Sequence, residues 1–180
     1  MKRLYILRHS KAGQTNKKIL DDQERPLTQK GIEICPNVAE YLKNCDILPE
    51  LVISSTALRT KQTAEEVLKY LESNAAIEYT PKLYLASSEN IFTEIQNISP
   101  DIKSAMIVGH NPGLHQFVIE FSGKGDKKKF REMRSNFPPA SIASFNLNSS
   151  EWVDCEIQSG ELVDFASSKE LKKKPLELAS

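Results

Sequence analysis

Short apolar runs alternate with longer amphipathic stretches along this chain, a pattern typical of a parallel sheet covered by helices. The run at 4–7 predicts a strand buried on both faces, and the runs at 51–53 and 105–108 predict two more. A further short strand is expected at 77–79. We therefore expect an α/β fold, a three-layer sandwich with a mainly parallel central sheet and helices on both faces.

Helical spacing of apolar residues predicts the first two covering helices. Thr28 is expected to cap a helix that runs to about Asn44. Pro36 lies inside it and removes a backbone donor, so we expect a kink there. The second helix is expected at 57–71.

The later part of the chain predicts two more helices. Ser88 is expected to cap a helix that extends to Ile98. Asn111 suits a helix cap and Pro112 suits a first helical position, so another helix should follow them.

The C-terminal third predicts strands and then a tail. The segments 141–147 and 152–157 are interpreted as an edge hairpin or two late strands. Residues 169–180 are rich in lysine and are expected to form a flexible tail. The remainder, 1–168, is expected to be a single domain, because 180 residues fit one core.

Charge and composition limit the classes of function. The chain has 24 basic and 24 acidic residues, so its net charge gives no reason to expect nucleic acid as a partner. The three cysteines are widely spread and predict neither a disulfide framework nor a zinc site. The apolar run at 4–7 is too short for a signal peptide or a membrane span, so we expect a cytoplasmic protein with no membrane partner.

Cationic side chains follow three of the predicted strands. Arg8 and His9 come after the first, Arg59 after the second, and His110 after the strand at 105–108. Ligands of open α/β sheets bind at the carboxyl ends of the strands. Four such groups at one sheet edge would repel each other unless an anion sat among them, so the sequence predicts an anion site.

A phosphoryl group fits this predicted site. Arg59 falls in the first turn of its helix and His110 just precedes another, so two positive helix ends should face the ligand. Guanidinium groups bind phosphate oxygens in bidentate fashion and keep their charge. We therefore expect no metal and no cofactor. His115 is five residues from His110 and does not share its helix face.

Four ordered motifs resemble the histidine phosphatase, or phosphoglycerate mutase-like, superfamily, and in particular its short SixA-like branch, known for phosphohistidine phosphatases. They are Leu7-Arg8-His9-Ser10-Lys11-Ala12; Arg25-Pro26-Leu27-Thr28 with Gly31; Ser54-Ser55-Thr56-Ala57-Leu58-Arg59-Thr60 with Gln62-Thr63-Ala64; and Val108-Gly109-His110-Asn111-Pro112-Gly113. The resemblance covers residues 4–113 and implies a phosphoglycerate mutase-like fold.

The resemblance also implies roles for individual residues. His9 would be the nucleophile, Arg8 and Arg59 would bind phosphate, and His110 would support the transferring group. Ser55 and Asn111 are predicted to add hydrogen bonds to the substrate. A nucleophilic imidazole must present an unprotonated ring nitrogen, and neighbouring arginines favour that state by lowering the histidine pKa.

No residue lies in a recognisable motif for the general acid that larger members of the superfamily use. The candidates are Asp21, Asp22, Glu24 and Glu89, and each is interpreted as a solvated surface charge. A protonated imidazole leaves more readily than an alkoxide, so the gap favours a phosphohistidine-containing protein as substrate. The alternatives are a phosphatase or mutase for a small phosphorylated metabolite and a catalytically inactive phosphate-binding module.

A lysine-rich segment at 124–134 is expected to be an exposed loop. An acidic protein substrate could dock there. Phe130 and Phe137 lie within or near it, but no nucleic-acid motif accompanies them.

Overall fold

A computed structural model describes residues 1–13 and 21–171. The strands are β1 (Lys2–Arg8), β2 (Leu51–Ser55), β3 (Ala76–Thr80), β4 (Ser104–Gly109), β5 (Ser122–Gly125), β6 (Ile142–Leu147) and β7 (Gly160–Ala166). The α-helices are α1 (Gln29–Glu33), α2 (Cys35–Asn44), α3 (Leu58–Leu71), α4 (Ser88–Gln96), α5 (Gly113–Phe121), α6 (Lys127–Ser135) and α7 (Ser168–Leu171). Short 3₁₀ turns lie at Asp22–Glu24, Pro81–Leu83 and Trp152–Asp154.

The seven strands form one sheet in the order β3-β2-β4-β1-β6-β7-β5. Strands β1 to β4 are parallel to one another, β6 is antiparallel to both of its neighbours, and β5 is parallel to β7. Six of the described strands therefore point the same way. The predicted mainly parallel sheet is confirmed, and its carboxyl edge gathers the loops after β1, β2 and β4.

Each face of the sheet carries its own apolar core. Leu4 and Ile6 face α4, α5 and α6, where Phe117 and Phe121 fill the space. The alternate residues Tyr5 and Leu7 face the opposite layer, formed by α2, α3 and α7. Because strand side chains alternate between faces, a run buried on both sides has to be apolar throughout, as the sequence indicated.

The helix predicted from Thr28 to Asn44 is two helices. Thr28 caps α1 as predicted, with its hydroxyl oxygen accepting a hydrogen bond from the backbone N–H of Gly31. The chain breaks at Ile34 and restarts at Cys35, which places Pro36 in the first turn of α2. Backbone donors in a first turn have no partner within the helix, so proline costs little there.

The predicted strand at 152–157 is wrong. Trp152 starts a 3₁₀ turn and is buried, with its indole N–H donating to the carbonyl of Ile102 at 2.8 Å. Val153 and Ile157 are exposed. The partner of β6 is instead β7, and β6 lies inside the sheet between β1 and β7 rather than at its edge.

Two predicted helix caps are also wrong. Ser87, and not Ser88, caps α4, and the helix ends before Ile98. Asn111 does not cap α5, because its side-chain amide donates to the carbonyl of Phe137 at 2.9 Å.

The lysine-rich segment at 124–134 is not a loop. Its first residues form the edge strand β5 and the rest form α6, whose cap is the side chain of Asp126. Within the predicted flexible tail at 169–180, Lys169 to Leu171 instead belong to α7, and Leu171 is buried. Residues 172–180 lie outside the described residues. No helix in the described ranges is long and apolar enough to span a membrane.

Gly31 lets α1 pack directly against the loop after β1, which gives a test of this packing. A Cβ at Gly31 would lie 2.1 Å from the carbonyl oxygen of Lys11. Gly31→Ala should therefore lower the free energy of unfolding by about 1–3 kcal/mol, although alanine otherwise favours helices. Gly13→Ala is the matched control, because its nearest atom, the Pro26 carbonyl oxygen, is 4.0 Å away. Denaturant titration that found both variants as stable as the parent would contradict this packing.

Candidate active site

The carboxyl ends of β1, β2 and β4 bring two histidines and a serine together. His9 follows β1, Ser55 ends β2, and His110 follows β4. The rings of His9 and His110 lie with centroids 5.2 Å apart, and both side chains are buried. The backbone N–H of His9 donates to the carbonyl of Gly109 at 3.1 Å, which extends the β1–β4 pairing into the site.

One ring nitrogen of His9 is fixed by its own loop. Nδ1 lies 2.7 Å from the carbonyl oxygen of Ser10, and because a carbonyl only accepts, Nδ1 carries the proton. The backbone N–H of Ser10 donates to Thr63 Oγ1 at 2.9 Å, and the Ser10 hydroxyl donates to the carbonyl of Gly31 at 2.7 Å. Nε2 of His9 is therefore the unprotonated nitrogen, held in orientation by neighbours on α1 and α3.

Arg8 is held by the segment between α6 and β6. Its Nη1 donates to the carbonyl of Phe137 at 2.8 Å, the same carbonyl that Asn111 binds. Its Nε is buried and has no hydrogen-bond partner among the described residues. One N–H group of the guanidinium is thus fixed by a carbonyl, while others remain to donate hydrogen bonds to a ligand.

Arg59 lies in the first turn of α3, and only 2% of it is exposed. Its Nη1 donates to the backbone carbonyl of Asp22 at 2.6 Å, and its Nη2 is 3.0 Å from Asp22 Oδ2. Thr63 Oγ1 donates to the carbonyl of Arg59 at 2.6 Å, which ties the start of α3 to the His9 loop. The fork of Arg59 is therefore held in one orientation.

Asp22 contacts this site, although it was interpreted from the sequence as a solvated surface charge. Its Oδ2 accepts a hydrogen bond from the Tyr84 hydroxyl at 2.7 Å, and its Oδ1 is 3.1 Å from Arg25 Nε. The hydrogen bond from Tyr84 and the charges of Arg59 and Arg25 lower the pKa of Asp22. The other candidates, Asp21, Glu24 and Glu89, are exposed.

Tyr84 was missed by the sequence analysis. Its ring meets that of His110 edge-on, with centroids 5.6 Å apart, while its hydroxyl binds Asp22. Burial and the carboxylate of Asp22 raise the pKa of Tyr84. A tyrosine after a short 3₁₀ turn carries no signal in a single sequence, whereas Asp22 lies three residues before the Arg25-Pro26-Leu27-Thr28 motif.

Ser55 and Asn111, the two predicted substrate contacts, both lie at the site. The Oγ of Ser55 is 2.9 Å from His110 Nε2 and also accepts from the backbone N–H of Ala57 at 3.4 Å. Which of the two atoms donates in the Ser55–His110 hydrogen bond depends on the tautomer of the His110 ring. The amide nitrogen of Asn111 is occupied by Phe137, so its substrate contact stays a prediction.

Burial and positive neighbours keep His9 neutral. Burial is the main cause that lowers its pKa to about 4, and the charges of Arg59, Arg8 and Arg25 add to it. The hydrogen bond with the Ser10 carbonyl opposes this shift, because the charged ring donates to that carbonyl more strongly than the neutral ring does.

His110 is neutral for similar reasons. Burial lowers its pKa to about 3, followed by the charges of Arg59 and His9. Asp22 acts in the opposite direction, and Arg8 lowers the pKa further.

His115 is separate from this site. Its Nε2 donates to the carbonyl of Met133 at 3.0 Å, and its ring stacks on that of Phe137, which joins α5 to α6. In residues 1–13 and 21–171, no group of three or more His, Cys, Asp or Glu side chains is arranged to hold a metal ion.

Comparisons with known proteins agree with this geometry. The sequence model of the family described as histidine phosphatase superfamily (branch 1) matches residues 4–84 of this chain. The phosphohistidine phosphatase SixA of Escherichia coli is 27% identical over 149 residues, which cover 82% of this chain and 86% of SixA. A solved structure of the protein histidine phosphatase SixA with tungstate has a TM-score of 0.74 and 25% identity, and covers 94% of this chain and 99% of that one.

The fold comparison extends further. A phosphoglycerate mutase from Bacillus anthracis shares the fold at 20% identity, with a TM-score of 0.63 over 96% of this chain and 97% of the mutase. The fold and the site thus define an α/β phosphatase of the phosphoglycerate mutase-like type. The likeness of this chain to the histidine phosphatase superfamily rests on the match over residues 4–84 and on the SixA proteins above, and it agrees with the motifs of the sequence.

The neutral state of both histidines is testable by pH titration. His9 and His110 should protonate only near pH 4 and pH 3 in the folded chain, against 6.5 for an ordinary histidine. Between pH 6.5 and 4 the unfolded chain then binds more protons at these positions, so the free energy of unfolding should fall on acidification. Imidazole NMR gives the midpoints, and denaturation at several pH values gives the slope.

His9→Gln is the control, because it removes one of the two groups and should flatten the slope. A His9 midpoint near the ordinary histidine value would contradict the account of this pocket.

Proposed function

We propose that this phosphatase acts on phosphohistidine in proteins through a phosphorylated His9. Nε2 of His9 attacks the phosphorus atom, a nitrogen–phosphorus bond forms on His9, and the bond to the substrate imidazole breaks. The substrate ring carries a proton on its other nitrogen, so it departs as neutral imidazole when the nitrogen–phosphorus bond breaks. Water then attacks the phosphorylated His9, releasing inorganic phosphate and restoring the neutral ring. The observation that carries this proposal is the buried, neutral His9 whose Nδ1 is committed to the Ser10 carbonyl.

Arg8 and Arg59 would stabilise the charge on the transferring phosphoryl group. Arg8 is held through Nη1 by the Phe137 carbonyl, and Arg59 is held through both Nη atoms by Asp22, so both groups are positioned before the substrate arrives. The tungstate in the similar SixA structure is a tetrahedral oxyanion like phosphate, which supports an oxyanion site at this sheet edge. Because two arginines supply the charge, we propose that no metal ion is required.

His110 would donate a hydrogen bond to the same group. In the tautomer that we propose, Nε2 of His110 accepts a hydrogen bond from the Ser55 hydroxyl, and the ring proton is on Nδ1, which is buried and has no partner among the described residues. A neutral donor at this position adds no charge to a pocket that already holds arginines. Ser55 would then act on the substrate through His110.

The state of Asp22 favours phosphohistidine over a sugar phosphate. Asp22 is the one candidate acid in contact with the pocket among the described residues, and its pKa is lowered by Tyr84 and by the arginines. An ionised carboxylate cannot give a proton to a leaving alkoxide. A leaving imidazole needs less help, so the substrate class that this pocket suits is a phosphorylated histidine.

Parallel phosphate-release assays test the proposal. The substrates are a phosphohistidine protein, a sugar phosphate and an aryl phosphate, each with and without EDTA. We expect turnover to be fastest on the phosphohistidine protein and unchanged by EDTA. His9→Ala should lower kcat at least about a thousandfold, because it removes the nucleophile.

His115→Gln is the matched control, since that histidine contacts Met133 instead of the pocket, and its activity should stay close to that of the parent. Faster turnover of the sugar phosphate, or a His9→Ala variant that stays active, would contradict the proposal.

A further inference from the structure

One side of the molecule carries a row of exposed cations that the chemistry at His9 does not use. We call it the basic strip, and it consists of Lys124, Lys127, Lys128, Arg131 and Arg134. The last four lie on α6, where 127, 131 and 134 share one helix face and 128 is a neighbour of 131. The whole chain has a formal net charge of +0, so this accumulation is local.

The strip does not stabilise the fold through ion pairs. Within residues 1–13 and 21–171, the ion pairs of α6 are made by Lys129, which is 3.2 Å from Asp164 and 3.6 Å from Glu170. No acidic group in those ranges lies within ion-pair distance of a strip residue. Cations in the first turn of a helix also oppose the helix dipole, and like charges four residues apart repel. Lys127 and Lys128 therefore lower the stability of α6, although Arg134 in its last turn suits the dipole, and this cost suggests that the strip serves binding.

One end of the strip is close in the chain to a residue that contacts the active site. Helix α6 ends at Ser135, and the carbonyl of Phe137, two residues later, binds both Arg8 and Asn111. Arg134 is the strip residue nearest to that junction in the chain. From there α6 extends for about 13 Å, at 1.5 Å per residue. A protein that placed a phosphorylated side chain at His9 would have a neighbouring surface within reach of this helix.

We propose that the basic strip binds an acidic surface of the protein that carries the phosphoryl group. This inference rests on the proposed function and names a property of its substrate. Exposed cations of one sign steer an oppositely charged partner and speed its association. The strip acts on encounter with the substrate and not on the reacting atoms, so it affects kcat/KM and leaves kcat unchanged.

A protein partner fits better than a membrane surface. Amphipathic helices that bind membranes insert an apolar face into the lipid. The apolar residues of α6, Phe130 and Met133, pack against the core instead, and Met133 is fully buried. The outward face of α6 thus offers charge without an apolar surface to insert.

The test compares two triple variants that remove the same charge. The strip variant is Lys127→Gln/Arg131→Gln/Arg134→Gln. The control variant is Lys43→Gln/Lys69→Gln/Lys103→Gln. These lysines are exposed and lie near the ends of α2 and α3 and just before β4, at the amino ends of the parallel strands. The substrates are one acidic and one basic protein, each phosphorylated on histidine with phosphoramidate, and an aryl phosphate.

We expect the strip variant to lose about tenfold or more in kcat/KM on the acidic protein at low salt, with a weaker salt dependence. Its kcat, and its activity on the basic protein and the aryl phosphate, should match those of the control variant. Equal kcat/KM for both variants on the acidic protein would overturn the proposal. So would loss of binding to phosphatidylserine vesicles by the strip variant with unchanged protein kinetics, because the strip would then be a membrane surface.

Failure of the proposed function would look different. The parent protein itself would then turn over the aryl phosphate but neither phosphohistidine protein, which overturns both proposals at once.

Discussion

The site depends on one electrostatic constraint: two imidazole rings with centroids 5.2 Å apart share a buried pocket with the guanidinium groups of Arg8 and Arg59. In such a place a protonated histidine would be both desolvated and repelled, so His9 and His110 are neutral. A neutral imidazole is a nucleophile, whereas an imidazolium is not. Burial is the main reason that His9 is neutral, and the positive charge that would bind a phosphoryl group adds to it.

The backbone of the fold supplies most of the positioning. The carbonyls of Ser10, Phe137 and Asp22 fix His9, Arg8 and Arg59 in turn. Ser10 and Asp22 lie in the connection between β1 and α1, and Phe137 lies between α6 and β6. The side chain of Asp22 adds a charged contact to Arg59, and Tyr84 holds that carboxylate in place. Under the proposed function, these groups would act on the reaction through the residues that they orient, so their influence would extend to kcat without contact with the substrate.

The sequence predicted the site residues that lie at or just after the carboxyl ends of strands. A run of apolar residues buried on both faces ends where the polar residues begin, so Arg8, His9 and His110 could be placed at one edge. Asp22 and Tyr84 could not, because their roles depend on how separate loops approach Arg59. The strand predicted at 152–157 failed because Trp152 fills the core from a 3₁₀ turn. The loop predicted at 124–134 failed because the cap of Asp126 and the buried Met133 outweigh the repulsion among the lysines of α6.

We propose that Nε2 of His9 takes up the phosphoryl group, and detection of phosphorylated His9 tests this most directly. The parent protein is mixed with a labelled phosphohistidine protein, quenched in base within milliseconds, and digested, and NMR then distinguishes phosphorylation at Nε2 from that at Nδ1. Because Nδ1 donates to the Ser10 carbonyl, the account predicts label on Nε2 of His9. Label on Nδ1, label on another residue, or turnover with no adduct would contradict it.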